Sequence, residues 1–211
     1  PRAMLIEECP FIEPVDAYGA FAPFADSHFL DSGDRDRYAY IAVSPFHKLT
    51  AKNGQVTLDG FAVPGNPFDV LGDLLARYRH EKQEDLPPFQ GGVVGYFGYE
   101  LAHQTETLPV ADDDWLEMPD MAVGIYDLVI SFDLHQRRMW LISTGMPAQE
   151  NQARHQRAAE RMTMLRKYLR LARPLFDVPD VPHQPDITAW ASNFDQDAYQ
   201  HAVGKVIEYI F

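Results

Sequence analysis

Asp31-Ser32-Gly33-Asp34-Arg35-Asp36-Arg37-Tyr38 gathers both charge signs and a hydroxyl into one short polar loop. Such a set could hold a zwitterion. A guanidinium presents parallel N–H donors to a carboxylate, so Arg35 or Arg37 suits one end of the ligand. Asp31 or Asp36 suits an ammonium at the other. The candidate ligand-binding residues are therefore Ser32, Arg35, Asp36, Arg37 and Tyr38. The same composition also describes a plain charged hairpin loop, because Asp, Ser and Gly are favoured turn residues.

Other constellations are weaker. Gly91-Gly92-Val93-Val94-Gly95-Tyr96-Phe97-Gly98 is glycine-rich but matches neither G-x-x-x-x-G-K-[ST] nor G-x-G-x-x-G. It reads as a strand whose glycines allow a close backbone approach or a bulge. The eight histidines form no zinc-type spacing. His103 near Glu100 and Glu106 reads as a solvated helix end, and Asp112-Asp113-Asp114 lacks the spacing and glycine of a calcium loop. Ser27 and Ser32 stand outside any G-x-S-x-G turn. Arg154, Arg157, Arg161, Arg166, Lys167, Arg170 and Arg173 read as a solvated basic helix face that could alternatively meet an acidic partner. No catalytic residue and no metal ligand is assigned.

The elements that must position the loop follow from periodicity. Ser27–Leu30 and Tyr38–Val43 flank it as strands, and Lys48–Leu58 is a hairpin turning at Asn53-Gly54. Asn66 and Pro67 open a helix as N-cap and N1, with Phe68, Leu71, Leu74, Leu75 and Tyr78 on its buried face. Gln90–Phe97 is a strand and Thr105–Pro119 an acidic loop. Met121–Asp133 and Arg138–Ser143 form a second hairpin through Leu134–Arg137. A long helix spans Gln149–Ala172 with Ala158, Met162, Leu165 and Leu169 inward. Hairpins with few intervening helices predict an α+β fold of mainly antiparallel sheets packed together with flanking helices.

Composition sets the outer bounds. The chain has 211 residues, 46% hydrophobic and 23% charged, the balance of a globular protein. Its formal net charge of −13 argues against nucleic acid or an anionic membrane as partner. No apolar run approaches the roughly 20 residues that span a bilayer. The single Cys9 leaves no internal disulfide, and a cytoplasmic location is the simplest expectation. Pro174–Pro185 carries four prolines and reads as a linker. Beyond it, Asp195 suits an N-cap, Phe194 and Tyr199 suit a hydrophobic staple, and Tyr199, Ala202, Val203, Val206, Ile207 and Ile210 form an apolar stripe. That helix reaches Phe211 without a stop signal, so the chain reads as the N-terminal piece of a longer protein.

Four segments carry a resemblance. They are Phe29-Leu30-Asp31-Ser32-Gly33 with Arg37-Tyr38 and Ser44-Pro45; the run Pro88–Leu101 through Phe89-Gln90-Gly91-Gly92; the run Met118–Asp127; and Ser192-Asn193-Phe194 with Tyr199, Val203 and Glu208-Tyr209-Ile210. In this order they resemble the N-terminal region of component I of the aminodeoxychorismate synthase and anthranilate synthase family. Phe89-Gln90-Gly91-Gly92 and Pro119–Asp127 resemble the aminodeoxychorismate synthase version. Phe29-Leu30-Asp31-Ser32 stands where anthranilate synthases usually carry Leu-Leu-Glu-Ser, a tryptophan motif.

The resemblance implies residues 1–173 as the N-terminal domain, 174–191 as a linker and 192–211 as the first helix of a C-terminal chorismate-binding domain. It implies that the whole enzyme converts chorismate and ammonia to 4-amino-4-deoxychorismate for 4-aminobenzoate and folate synthesis. It implies Mg²⁺ as cofactor, a glutamine amidotransferase subunit as ammonia source, and catalytic residues beyond this chain. It also implies a tryptophan-type pocket at Ser32, Arg35, Asp36, Arg37 and Tyr38, although Arg35 and Asp36 are not the usual residues there. Anthranilate synthase component I and a stand-alone amino-acid-binding regulatory module are the alternatives.

Overall fold

A computed structural model describes residues 4–109, 114, 116–172, 191–192 and 194–210. It divides into two compact units, Pro1–Leu175 and Phe176–Phe211.

The first unit contains two five-stranded antiparallel sheets, in keeping with the α+β expectation. The first has β1 (Leu5–Cys9), β2 (His28–Leu30), β3 (Tyr38–Ala42), β9 (Leu128–Asp133) and β10 (Arg138–Ser143) in the order β1-β10-β9-β3-β2. The second has β4 (His47–Lys52), β5 (Gln55–Leu58), β6 (Phe61–Val63), β7 (Gly92–Phe97) and β8 (Met121–Tyr126) in the order β6-β5-β4-β8-β7. Three helices complete the unit: α1 (Pro14–Gly19), α2 (Pro67–Arg77) and α3 (Asn151–Leu169).

Local chemistry explains several elements. Asn53 and Gly54 both have positive φ, 50° and 76°, which a two-residue hairpin turn between β4 and β5 requires. The Asn66 side chain accepts a hydrogen bond from the Phe68 N–H at 2.9 Å, and Pro67 fills the first helical position of α2. Leu71, Leu74 and Tyr78 pack on β4 and β8, but Phe68 and Leu75 are exposed. The inward stripe of α2 is thus narrower than its sequence suggests, and Phe68 stacks on Phe97 with ring centroids 6.3 Å apart. Gly95 lets β7 lie close to β8: a Cβ there would come within 2.1 Å of the Ala122 carbonyl oxygen.

Three apolar clusters hold the unit. One face of the first sheet packs on α1 and α3 through Ile41, Ile130, Phe132, Leu141, Met162 and Leu165. One face of the second sheet packs on α2 through Leu49, Val123 and Ile125. Ala42 of the first sheet and Val94 and Tyr126 of the second meet between them, with Phe89 alongside.

The run Met121–Asp133 is not one strand. It breaks at Asp127, where the chain leaves β8 in one sheet and enters β9 in the other. Asp127 is fully buried there, and this decides the role of α3. Arg161 donates to both Asp127 carboxylate oxygens, at 2.7 and 3.2 Å, and to the Ser44 carbonyl at 2.7 Å. Arg157 donates to the Met146 carbonyl at 2.7 Å, and Arg154 to the Thr144 carbonyl at 2.8 Å. The reading of α3 as a solvated basic face is therefore corrected at these three positions. They lie at i, i+3 and i+7, and the several donors of each guanidinium serve a buried carboxylate and loop carbonyls. Arg166 pairs with Glu7, whereas Arg173 lies outside the described residues.

The second unit contains α4 (Gln196–Ile210). Asp195 opens it by accepting a hydrogen bond from the Ala198 N–H at 2.8 Å. None of its residues is buried. The linker expected at Pro174–Pro185 lies outside the described residues.

Candidate functional site

The loop from Asp31 to Arg37 joins β2 to β3 and includes a single 3₁₀ turn, Gly33–Arg35. Its shape is set by its own polar side chains. Asp31 accepts from the Gly33 N–H at 3.0 Å, and Gly33 takes φ 58°, a conformation glycine reaches without steric cost. Asp36 accepts from the Arg37 N–H at 2.6 Å. The Ser32 hydroxyl donates to the Asp36 carbonyl at 3.4 Å. That proton is directed at a carbonyl rather than a base, so the loop is built for hydrogen bonding rather than nucleophilic chemistry.

The five sequence-predicted residues do not converge on one point. Arg37 turns toward the sheet, where its Nε and Nη2 donate to Asp133 at 2.9 and 2.6 Å. Its guanidinium also lies 5.0 Å from the centroid of the Tyr38 ring. Burial alone would raise the proton affinity of Asp133. Arg37 and the backbone N–H groups of Gln136 and His135 outweigh it and hold the carboxyl below its ordinary value. Arg35 and Asp36 are exposed. Arg35 makes no ion pair or side-chain hydrogen bond with a described side chain.

Aromatic surface does lie beside the loop. Tyr38 and Tyr40 have ring centroids 6.4 Å apart, and Tyr40 meets Phe89 edge to face at 5.6 Å. The Ser131 hydroxyl donates to the Phe89 carbonyl at 3.0 Å and fixes that wall. Burial raises the pKa of the Tyr40 phenol, keeping it protonated at neutral pH. Phe46 packs with Tyr78 in the cluster under α2.

The remaining candidates resolve individually. His103 contacts Glu100 at 3.1 Å, and Asp114 pairs with Lys52. Asp112 and Asp113 lie outside the described residues. Among the described residues no group of three His, Cys, Asp or Glu side chains is arranged to hold a metal ion.

A cavity of about 210 Å³ lies at the opposite end of β2 from the loop, with Asp26, Lys48 and Tyr126 in its lining. Sequence reasoning missed it because its residues come from separate segments with no shared motif. The available signal was the alternation of β4. Leu49 and Ala51 face the cluster under α2, so Lys48 and Thr50 must face the other way.

Comparison with known proteins gives a consistent result. The family model described as chorismate binding enzyme matches residues 26–211. Anthranilate synthase component 1 of Thermus thermophilus is 32% identical over 203 residues, covering 93% of this chain and 41% of that protein. Aminodeoxychorismate synthase component 1 of Escherichia coli is 40% identical over 101 residues, covering 41% of this chain and 22% of that protein. The crystal structure of anthranilate synthase component I from Streptococcus pneumoniae superposes with a TM-score of 0.56 at 20% identity, covering 74% of this chain and 34% of that one. The chain spans about two fifths of the length of the Thermus relative.

Proposed function

The chain belongs to the chorismate binding enzyme family, and from that membership we propose that it is the N-terminal, non-catalytic part of an aminodeoxychorismate synthase component 1. The observation that carries the proposal is the family match over residues 26–211. The choice of branch rests on Phe89-Gln90-Gly91-Gly92 and Pro119–Asp127 and draws support from the 40% identity to the E. coli relative. The second reading is anthranilate synthase component 1, favoured by the Thermus relative that covers 93% of the chain.

In this proposal the whole enzyme aminates chorismate with ammonia from a glutamine amidotransferase subunit and uses Mg²⁺. Among the described residues no group of His, Cys, Asp or Glu side chains is arranged to hold that ion. The contribution of this part is a two-sheet body. Its loop at Ser32, Arg35, Asp36, Arg37 and Tyr38 is proposed as a tryptophan-type site. Arg37 acts there as the loop's anchor on Asp133, and Arg35 is the guanidinium left for a carboxylate.

The test is product analysis. A natural full-length protein carrying this sequence, incubated with chorismate, Mg²⁺ and ammonia, forms 4-amino-4-deoxychorismate, and the 211-residue chain alone forms no product. Anthranilate as the product would transfer the assignment to the second reading. Turnover by the chain alone would refute the non-catalytic role.

A further inference from the structure

The first sheet is not covered evenly. Glu7 and Cys9 on β1 pair with Leu141 and Met139 on β10, and the alternation of both strands puts these four on the face that carries α3. A groove of about 350 Å³ remains there, between the sheet edge and the last turn of α3. Met139 and Leu141 close its floor without solvent exposure, and Cys9, Ile12 and Leu169 form its sides. Glu7, Arg166 and Arg170 supply its charges.

Those charges are not equivalent. Arg166 donates its Nε to Glu7 at 2.7 Å and its Nη2 to the same carboxylate oxygen. This hydrogen bonding holds the Glu7 carboxyl below its ordinary value, against the opposing effect of burial. The Cys9 thiol donates to the other Glu7 oxygen at 3.8 Å. Burial and the Glu7 charge raise the pKa of that thiol, so Cys9 is a neutral wall and not a nucleophile. With both oxygens engaged, Glu7 offers nothing to a cationic ligand. Arg170 stands one turn beyond Arg166 on the same side of the helix. It makes no ion pair with a described side chain. The groove therefore carries one positive charge in excess beside an apolar floor.

We propose that this groove binds an unbranched aliphatic monocarboxylate. Its head group pairs with Arg170, and its hydrocarbon tail lies between Cys9, Ile12 and Leu169 over Met139 and Leu141. The lining holds no aromatic ring to stack on a planar ligand, and its methionine and aliphatic side chains adapt to a flexible chain. At roughly 30 Å³ per water-sized group, the space takes about a dozen non-hydrogen atoms, the size of a medium-chain fatty acid. A second carboxylate on the ligand would lie here without a partner. The inference uses none of the residues of the Ser32–Tyr38 loop and is independent of the synthase reading.

Cys9 is the one cysteine of the chain, so a thiol reagent reads the groove directly. The test compares octanoate, octanamide and octylammonium, which share a tail and differ in head-group charge. Calorimetry reads affinity, and the rate of Cys9 alkylation by iodoacetamide reads position. The expected result is one-site saturation by octanoate, with alkylation slowed at least about tenfold and octanamide bound at least about tenfold more weakly. Octylammonium shows no binding. Arg170→Met keeps the aliphatic stem and lowers octanoate affinity to that of octanamide, and Arg170→Lys restores it in part. Arg170 is exposed at the end of α3, so both variants keep the thermal transition. Four outcomes overturn the proposal: no saturation by about 10 mM octanoate, equal binding of octanamide, undiminished Cys9 alkylation at saturation, or a dimer in sedimentation that protects Cys9 without ligand and so assigns the groove to a second copy. The head-group series uses the unaltered chain, so its outcome does not depend on the variants folding.

Discussion

Replacing Arg161 by Met strands a buried charge. Asp127 has no solvent exposure, and Arg161 donates to both of its carboxylate oxygens while Arg157 stands off at 3.8 Å. Methionine has a similar length and keeps aliphatic bulk at the position, so the loss is chiefly electrostatic. Removing one partner of a buried pair costs about 3–5 kcal/mol, because the remaining charge keeps its desolvation penalty without compensation. For a unit of this size each kcal/mol moves the midpoint by roughly 2–4 °C, so Arg161→Met lowers Tm by about 6–20 °C. Asp127→Asn costs less, about 1.5–3 kcal/mol, since Arg161 keeps the Ser44 carbonyl and some access to water. The double variant Asp127→Asn/Arg161→Met is therefore less damaged than the sum of the singles, with a coupling of about 1–3 kcal/mol. Denaturant and thermal unfolding followed by circular dichroism read all three. A loss below about 1 kcal/mol for Arg161→Met, or strictly additive singles, would show that the pair is not what secures the passage from β8 to β9.

Two further expectations concern the sheets. Asp133 is held below its ordinary pKa, so the stability it contributes is fully present above the unfolded value of about 3.9 and is lost as pH falls through the folded one. Asp133→Asn should accordingly lower stability at pH 6 and converge with the unaltered protein in acid; a constant gap down to pH 2 would contradict the assignment. Gly124→Ala places a methyl against the Tyr126 ring and should cost about 1–3 kcal/mol with loss of the Tyr126–Asp26 hydrogen bond; an unchanged denaturation midpoint would show that the ring moves aside freely.

Local signals were legible and non-local ones were not. Asn53-Gly54 and Asn66-Pro67 specify their turn and cap within four residues, and the structure places both as read. The inward positions of α3, Ala158, Met162, Leu165 and Leu169, are all buried, because nineteen residues give helical periodicity room to show. By contrast α1 has six residues and β6 three, too few for a period, and β1 reads as acidic rather than apolar because Glu7 and Glu8 find partners on α3 and β10. The break at Asp127 has no turn signature; the arginine that holds its buried carboxylate lies 34 residues later. The loop at Asp31–Arg37 was located correctly as a polar connection between strands. Arg37 nevertheless answers to Asp133, a partner 96 residues away that no local spacing reveals.

The edge position of β1 has a consequence for synthesis. Its partner β10 carries Arg138, which pairs with Glu8 across 130 residues of chain. A ribosome adding about 5–20 residues per second delivers β10 on the order of ten seconds after β1 has emerged. Until then β1 lacks its sheet, and the apolar face of β3 lacks both its β9 neighbour and its α3 cover. The first sheet therefore cannot close before β10 has been made. Pairing across such distances is slow and leaves strand edges exposed while it waits.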